Sequence, residues 1–261
     1  MISGKNIVLT GCNSGIGLEV LKLLMKGDNK IFCVDFETEK LKTMARENVI
    51  VFEKDVSSKE AVDEIFEEAI KALGSIDIFY ANAGYAYYEE MNYTDWDRVQ
   101  RIFETNVFSP IYSYQKYVEY LNGRKGIFAM TVSAIGTMAM PGYTLYSASK
   151  FGLHGFQEGI RMEKPDNVQL TCLYPVATNT GFFKRSNPIE YKRPFPVQEP
   201  DVVARKMLAG IEKNKKNVSP CVLFGISKQL MKFIPPVKTA YLYLEKRKFN
   251  DFRKKVKEMN K

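Results

Sequence analysis

Two stretches of the chain place a tyrosine four residues before a lysine, a spacing that could support proton transfer. They are YSASK, from Tyr146 to Lys150, and YSYQK, from Tyr112 to Lys116. On a helix, positions four apart share a face, so the ammonium would lie near the phenol and favour its ionised form. A free tyrosine has a pKa near ~10 and needs such help to act as a base at neutral pH. The spacing alone does not choose between the two copies.

A glycine-rich turn near the N-terminus could bind phosphate. The apolar run at residues 7–9 leads into TGCNSGIG, residues 10–17, and then into a stretch with helical apolar spacing, residues 18–25. Glycine lets the backbone N–H groups approach a pyrophosphate, and the positive end of the following helix favours the anion. The spacing is GxxxGxG rather than the commoner GxGxxG. We predict a dinucleotide-binding loop here, with a plain strand-to-helix turn as the alternative.

Asp35 closes the second apolar run, 18 residues after Gly17. A carboxylate at this place would accept hydrogen bonds from an adenosine ribose. A 2′-phosphate would face like charge there, and neither Ser14 nor Phe36 supplies a compensating cation. The sequence therefore favours NAD over NADP, unless Asp35 is simply a solvated residue at a strand end.

Short apolar runs that are rich in β-formers alternate along the chain with stretches of helical spacing. The runs are residues 7–9, 31–34, 49–52, 76–79, 127–130, 168–172 and 221–224. This alternation predicts one doubly wound, Rossmann-like α/β domain, with about seven parallel strands and helices on both faces. We expect residues 1–225 to form it, including a substrate lid near 180–200, and residues 226–261 to form a basic amphipathic extension. Such sheets bind ligands at the carboxyl ends of their strands.

Motifs over residues 5 to about 180 resemble, in order, those of the short-chain dehydrogenase/reductase family. They are TGCNSGIG (10–17), Asp55-Val56, ANAG (81–84), Asn106, Ser133, YSASK (146–150) and PVATNT (175–180). The resemblance implies NAD(P)-dependent oxidation of alcohols or reduction of ketones. It also selects YSASK over YSYQK, because Val99 stands where a serine would be needed thirteen residues before Tyr112.

The resemblance implies a role for each matching residue. Tyr146 would exchange a proton with the substrate oxygen, Lys150 would assist it and bond the nicotinamide ribose, and Ser133 would hold the reacting oxygen, with Asn106 completing the set. Implied cofactor contacts are Gly11, Asn13, Ser14, Gly15, Ile16, Gly17, Asp35, Phe36, Asp55, Val56, Asn82, Ala83, Gly84, Tyr146, Lys150, Pro175, Thr178 and Thr180. Ala81 and Val176 depart from the family's usual asparagine and glycine, which affects fine geometry more than reaction class.

Pro110 lies within a stretch of helical spacing, residues 94–121. Because proline has no N–H, the carbonyl of Asn106 loses its helical partner. A buried free carbonyl needs another donor, for which water is suited. We hypothesise a water on this carbonyl that reaches Lys150 and connects Tyr146 to bulk solvent.

The segments expected to line the substrate cleft are apolar and aromatic. Beside Ser133 we expect Tyr85, Met140, Tyr143, Phe182 and Phe183 there, with Tyr87, Tyr88, Met138, Ile189, Tyr191 and Phe195 nearby. Such a pocket would suit a bulky apolar alcohol or ketone, such as a steroid, retinoid or lipid. The alternative is that these rings are simply core.

The net charge of +8 is concentrated at the C-terminus. Residues 226–261 hold 11 basic and 3 acidic residues, whereas residues 1–225 hold 27 of each. A neutral body argues against a nucleic-acid groove. Apolar residues at near-helical spacing after Pro236 form a stripe that could lie on an anionic membrane surface, although we favour packing on the protein itself or on a sister subunit.

Four cysteines lie far apart and His154 is the single histidine, so neither a zinc site nor a disulfide framework is expected. No stretch predicts a signal peptide or a membrane span. We expect a cytoplasmic homodimer or homotetramer, with peripheral membrane contact as an option. The rival function is a sensor or scaffold that binds dinucleotide without turnover, against which the intact Ser133, Tyr146, Lys150 and Asn106 set argues.

Overall fold

A parallel sheet of seven strands forms the centre of the computed structural model, which describes residues 2–259. In chain order the strands are β1 (Asn6–Thr10), β2 (Lys30–Asp35), β3 (Val49–Glu53), β4 (Ile78–Ala81), β5 (Gly126–Thr131), β6 (Val168–Leu173), the separate pair β7 (Ala177–Thr178) and β8 (Val197–Gln198), and β9 (Asn217–Val218). The sheet order is β3-β2-β1-β4-β5-β6-β9, so the strand order reverses between β1 and β4. The predicted doubly wound α/β fold is confirmed.

Helices cover both faces of the sheet. They are α1 (Gly15–Leu24), α2 (Glu39–Lys42), α3 (Lys59–Leu73), α4 (Trp96–Phe103), α5 (Ser109–Leu121), α6 (Thr144–Glu163), α7 (Phe182–Ser186), α8 (Pro200–Glu212), α9 (Val222–Phe233) and α10 (Pro235–Met259). Apolar residues of α1 and α8 pack against one face of the sheet, and those of α3, α5 and α6 against the other. Because both faces are covered, the strands are apolar along nearly their whole length, which explains the short continuous runs in the sequence.

The YSYQK pair lies on α5 and faces α3. The Tyr112 hydroxyl donates to a carboxylate oxygen of Asp63 at 2.8 Å, and the Lys116 ammonium lies 2.9 Å from the same oxygen. Lys59 and then Lys116 hold the pKa of Asp63 well below its usual range. This tyrosine and this lysine therefore share a carboxylate partner rather than a substrate.

The strand predicted at residues 221–224 is wrong, because α9 begins there. The Cys221 sulfur accepts the backbone N–H of Phe224 and caps the helix. Val222 and Leu223 are 67% and 53% exposed, whereas a strand inside this sheet would bury both. A four-residue apolar run does not distinguish a strand from the start of a helix. The seventh strand is β9, which pairs with β6 through only two residues.

The C-terminal helix α10 packs part of its apolar face on the protein itself. Phe249 and Phe252 lie against Tyr88, with ring centroids 5.7 and 4.8 Å apart, while Leu244 and Met259 stay exposed. Packing on the protein itself, one of the two options that we favoured from the sequence, therefore accounts for Phe249 and Phe252 of the C-terminal apolar stripe. Within residues 2–259, no helix is both long enough and apolar enough to cross a membrane.

Candidate active site

A cleft of about 530 Å³ opens at the carboxyl ends of the strands around the reversal between β1 and β4. Its walls include the glycine loop, the ends of β2 and β5, the start of α6 and the segment around α7. This size is typical of small-molecule sites. Every residue that the sequence assigned to catalysis, cofactor or substrate lines this cleft, apart from Asn13, Asn106, Tyr88, Ile189 and Tyr191.

The glycine loop is held by close backbone packing. Gly11 and Gly15 have φ values of +67° and +58°, which other residues rarely adopt. A Cβ on Gly17 would lie 2.0 Å from the Gly11 carbonyl oxygen and 2.6 Å from Nδ2 of Asn82. That Nδ2 donates to the Gly11 carbonyl at 2.9 Å, so the ANAG segment fixes the loop from the neighbouring strand.

Asp35, at the end of β2, is hydrogen-bonded to Asn13 of the glycine loop. A carboxylate oxygen of Asp35 accepts the Asn13 backbone N–H at 2.8 Å. Burial raises the pKa of Asp35, and the N–H groups of Asn13 and Glu37 oppose this shift. The side-chain Oδ1 of Asn13 is buried and has no hydrogen-bond partner among residues 2–259. The Asp35 carboxylate lines the cleft and can accept hydrogen bonds from the hydroxyl groups of a ribose, so this end of the cleft fits a nicotinamide dinucleotide.

Ser133 stands two residues beyond β5 in a strained conformation, with φ +117° and ψ 148°. Such backbone strain costs about 1–3 kcal/mol and is concentrated at functional sites. Its hydroxyl accepts the backbone N–H of Ile135 at 3.3 Å and lies 3.5 Å from the Pro175 carbonyl oxygen. The strained backbone thus directs the side chain into the cleft, beside the phenol of Tyr146.

Tyr146 lies on α6 and is buried. Burial raises the pKa of Tyr146 to about 12, while the hydroxyl of Ser133 acts in the opposite direction. The Lys150 ammonium lies 5.9 Å from the centre of the Tyr146 ring and donates to the Thr131 carbonyl at 3.0 Å. Burial lowers the pKa of Lys150 to about 7. From the sequence we expected Lys150 to favour the phenolate, but in this structure burial sets the pKa of both Tyr146 and Lys150.

Asn106 lies behind the cleft within a π-helical turn, Glu104–Phe108, that joins α4 to α5. Its Nδ2 donates to the Tyr85 carbonyl at 2.9 Å and to the Ser149 hydroxyl at 3.0 Å, and its Oδ1 accepts the Tyr85 N–H at 3.1 Å. The sequence predicted a single helix over 94–121. In the structure α4 and α5 are separated by this π-helical turn, which contains Asn106, the residue whose carbonyl has no helical N–H partner at Pro110. Asn106 links the ANAG segment to α6, and the water on its carbonyl stays a prediction.

The apolar and aromatic residues that the sequence suggested for the substrate cleft divide into two groups. Tyr85, Tyr87, Met138, Met140, Tyr143, Phe182, Phe183 and Phe195 line the cleft. Tyr88, Ile189 and Tyr191 instead pack in the cluster beneath it, where Tyr88 and Tyr191 stack with ring centroids 3.8 Å apart. Sequence could not separate the groups, because an aromatic residue in a wall and one in a core have the same local pattern.

Arg185, which lies on α7, was not identified from the sequence. Its Nη2 donates to the Ser14 hydroxyl at 2.6 Å, across a separation of 171 residues. No local signal could have found this contact, because it depends on how α7 folds back over the glycine loop. The cation lies in the cleft close to Asp35, where it opposes the effect of burial on the Asp35 carboxylate.

The remaining reactive side chains lie apart from the cleft. All four cysteines are free and buried, and Nδ1 of His154 lies 2.8 Å from the Tyr174 hydroxyl. Across residues 2–259, no cluster of histidine, cysteine and carboxylate side chains could hold a metal ion.

Comparison with known proteins agrees with this geometry. A family model described as short chain dehydrogenase matches residues 5–190. The chain belongs to the short chain dehydrogenase family. Membership makes it an oxidoreductase of the NAD(P)-dependent dehydrogenase and reductase class.

Relatives of the chain have names that denote different substrates. The chain is 27% identical to human 17-beta-hydroxysteroid dehydrogenase 13 over 252 residues, which cover 92% of the chain and 83% of that relative. It is 28% identical to zebrafish 3-dehydrosphinganine reductase over 223 residues, which cover 78% of the chain and 67% of that relative. A short chain dehydrogenase/reductase from Burkholderia phymatum, solved in complex with NAD, superposes with a TM-score of 0.79 at 18% identity, over 91% of this chain and 97% of that one.

Proposed function

We propose that this protein transfers a hydride between NAD and a bulky apolar secondary alcohol or ketone. The observation that carries the proposal is the position of Tyr146 and Ser133. They lie in one cleft with the glycine loop and Asp35 on one side and the apolar side chains of Phe182 and Met140 on the other. Two relatives whose names denote a hydroxysteroid dehydrogenase and a 3-dehydrosphinganine reductase support a large apolar substrate.

The chain's own residues would handle the proton and orient the substrate. A bound nicotinamide would supply or accept the hydride. Ser133 would donate a hydrogen bond to the substrate oxygen, and the Tyr146 hydroxyl would transfer its proton to that same oxygen. Lys150 would hold the ribose of the cofactor and complete the path of the proton. Because burial keeps the pKa of Tyr146 at about 12, the phenol holds its proton at neutral pH and is ready to donate it to a ketone.

A panel of hydroxysteroids, retinol, sphingoid ketones and short alcohols, with NAD(H) and NADP(H), tests the proposal. We expect turnover with the bulky apolar members, a lower KM for NADH than for NADPH, and an oxidation rate that rises with pH as the phenol loses its proton. Turnover restricted to short polar alcohols would contradict the substrate class. Tight binding of NADH without turnover of any member would favour the sensor function instead.

We also propose that α9 rests on an anionic membrane surface and brings lipid substrates to the cleft. Val222, Ile226 and Phe233 are exposed on this helix, while Phe224 of the same helix lines the cleft. Exposed cations lie on α9, at Lys228, and on α10, at Lys238, Lys246 and Arg247. Apolar side chains beside lysine and arginine are typical of helices that lie in a membrane interface. A cytoplasmic location and a homodimer or homotetramer stay predictions.

Vesicle co-sedimentation tests this membrane contact. We expect the full chain to pellet with vesicles that contain anionic lipid, and an Ile226→Ser/Phe233→Ser variant to pellet several-fold less. Met162→Ser is the matched control, because Met162 is 84% exposed on α6 and should not contribute. Equal pelleting of all three proteins would rule out α9 as the contact.

A further inference from the structure

The guanidinium of Arg185 bridges the substrate side of the cleft to the glycine loop. It donates to the hydroxyl of Ser14, the N-cap residue of α1, whose side chain makes no capping bond of its own. Thr180, five residues earlier, lies 3.3 Å from the place a Cβ would occupy on Gly15. The segment from Thr180 to Arg185 therefore lies directly on the loop.

Two positive features converge at this point. The N-terminus of α1 carries the partial positive charge of the helix dipole, and Arg185 adds a full charge beside it. No carboxylate within residues 2–259 lies at ion-pair distance from Arg185, although its field reaches Asp35. Among the described residues, the Arg185 guanidinium bonds only the neutral hydroxyl of Ser14, at the N-terminus of α1. It can therefore bind an anion in the cleft.

We propose that Arg185 binds the pyrophosphate of the dinucleotide and thereby holds α7 closed over the cleft. The proposal rests on the proposed function only in taking a dinucleotide as the ligand. We assign the pyrophosphate because Thr180, on the same segment, lies directly over Gly15 of the glycine loop, where the helix N-terminus favours an anion. A 2′-phosphate beside Asp35 is the other anion that Arg185 could bind, and the comparison of NADH with NADPH distinguishes the two. Phe182 and Phe183 are on the same helix and line the substrate side. Cofactor binding would thus also set the position of the substrate wall.

Coupling of this kind is reciprocal. If the dinucleotide holds α7 in place, it raises the affinity for the apolar substrate, and the substrate raises the affinity for the dinucleotide by the same factor. Loss of Arg185 should therefore raise the KM for the substrate as well as the KM for the cofactor, although Arg185 itself need not touch the substrate.

Binding measurements with fragments of the cofactor test the proposal without any turnover. Adenosine, ADP-ribose, NADH and NADPH would be titrated into the full chain and into Arg185→Ala, Arg185→Lys and Lys184→Ala. Lys184 is the matched control, since it is an exposed cation on the same helix that does not line the cleft. We expect Arg185→Ala to weaken ADP-ribose, NADH and NADPH about tenfold each, with partial rescue in Arg185→Lys and no change for adenosine.

Three outcomes would overturn this assignment. They are unchanged ADP-ribose affinity in Arg185→Ala, an equal loss in Lys184→Ala, and a loss confined to NADPH, which would assign Arg185 to a 2′-phosphate. Failure of the full chain itself to bind ADP-ribose and NADH would instead contradict the proposed function, so the two failures are distinguishable.

Discussion

Replacing Tyr146 with phenylalanine should lower turnover by about a thousandfold and leave NADH affinity within a factor of about two. The substitution removes one hydroxyl, which is the group placed to exchange a proton with the substrate oxygen. The ring remains, so its contact with Phe182, at 5.6 Å between centroids, is retained. Steady-state kinetics on a substrate found in the panel, with NADH titration by fluorescence, measure both quantities.

Tyr112→Phe is the matched control for this variant. It removes the same hydroxyl from the other tyrosine that precedes a lysine by four residues, where the partner is Asp63. We expect turnover close to that of the unmodified chain. A Tyr146→Phe protein with undiminished turnover, or a Tyr112→Phe protein with an equal loss, would contradict the assignment of YSASK as the chemical copy.

Replacing Lys150 with methionine should lower turnover by about a hundredfold or more and change how stability depends on pH. Burial lowers the pKa of Lys150 to about 7 in the folded chain, against an ordinary value of 10.5. Between these values the unfolded chain binds more protons than the folded chain, so this lysine makes stability rise with pH, by up to about 1.4 kcal/mol per pH unit. Below the folded pKa its contribution is constant.

Urea unfolding at about pH 6, about pH 7.5 and about pH 9 would measure this effect. Between about pH 7.5 and about pH 9, the free energy of unfolding of the unmodified chain should rise relative to that of Lys150→Met. Lys116→Met is the control, since bonding to Asp63 raises the pKa of Lys116 and its contribution should be constant over the same range. If the difference in the free energy of unfolding between the unmodified chain and Lys150→Met does not vary with pH, Lys150 is charged in the folded protein.

Much of the fold was predictable because a doubly wound sheet imposes a strong pattern. Strands covered on both faces must be apolar along their length, so β1, β2, β3, β5 and β6 were visible as short runs. The seventh strand was missed because β9 is only two residues long, Asn217–Val218, and carries no such pattern. The apolar run that was read in its place, residues 221–224, is the capped start of an exposed helix.

The candidate catalytic residues were proposed from the family resemblance, because the spacing of Tyr146 and Lys150 alone did not distinguish YSASK from YSYQK. Their surroundings could not be predicted, because distant parts of the chain form them. Tyr146 and Lys150 lie one turn apart on α6, and Ser133 lies two residues beyond β5. The contact of Arg185 with Ser14 and the stacking of Tyr88 on Tyr191 join segments more than 100 residues apart. The pKa values of Tyr146 and Lys150 were also not readable from the sequence, because burial depends on the whole cleft.

The most direct test of the central claim follows the hydride itself. A bulky secondary alcohol that the chain oxidises would be deuterated at the carbon that bears the hydroxyl, incubated with NAD, and the reduced cofactor analysed by mass spectrometry. We predict that each molecule of ketone formed is matched by one deuterium in NADH, and that Tyr146→Phe forms neither in measurable amount. Ketone formation without deuterium in the cofactor, or equal transfer by Tyr146→Phe, would contradict the account.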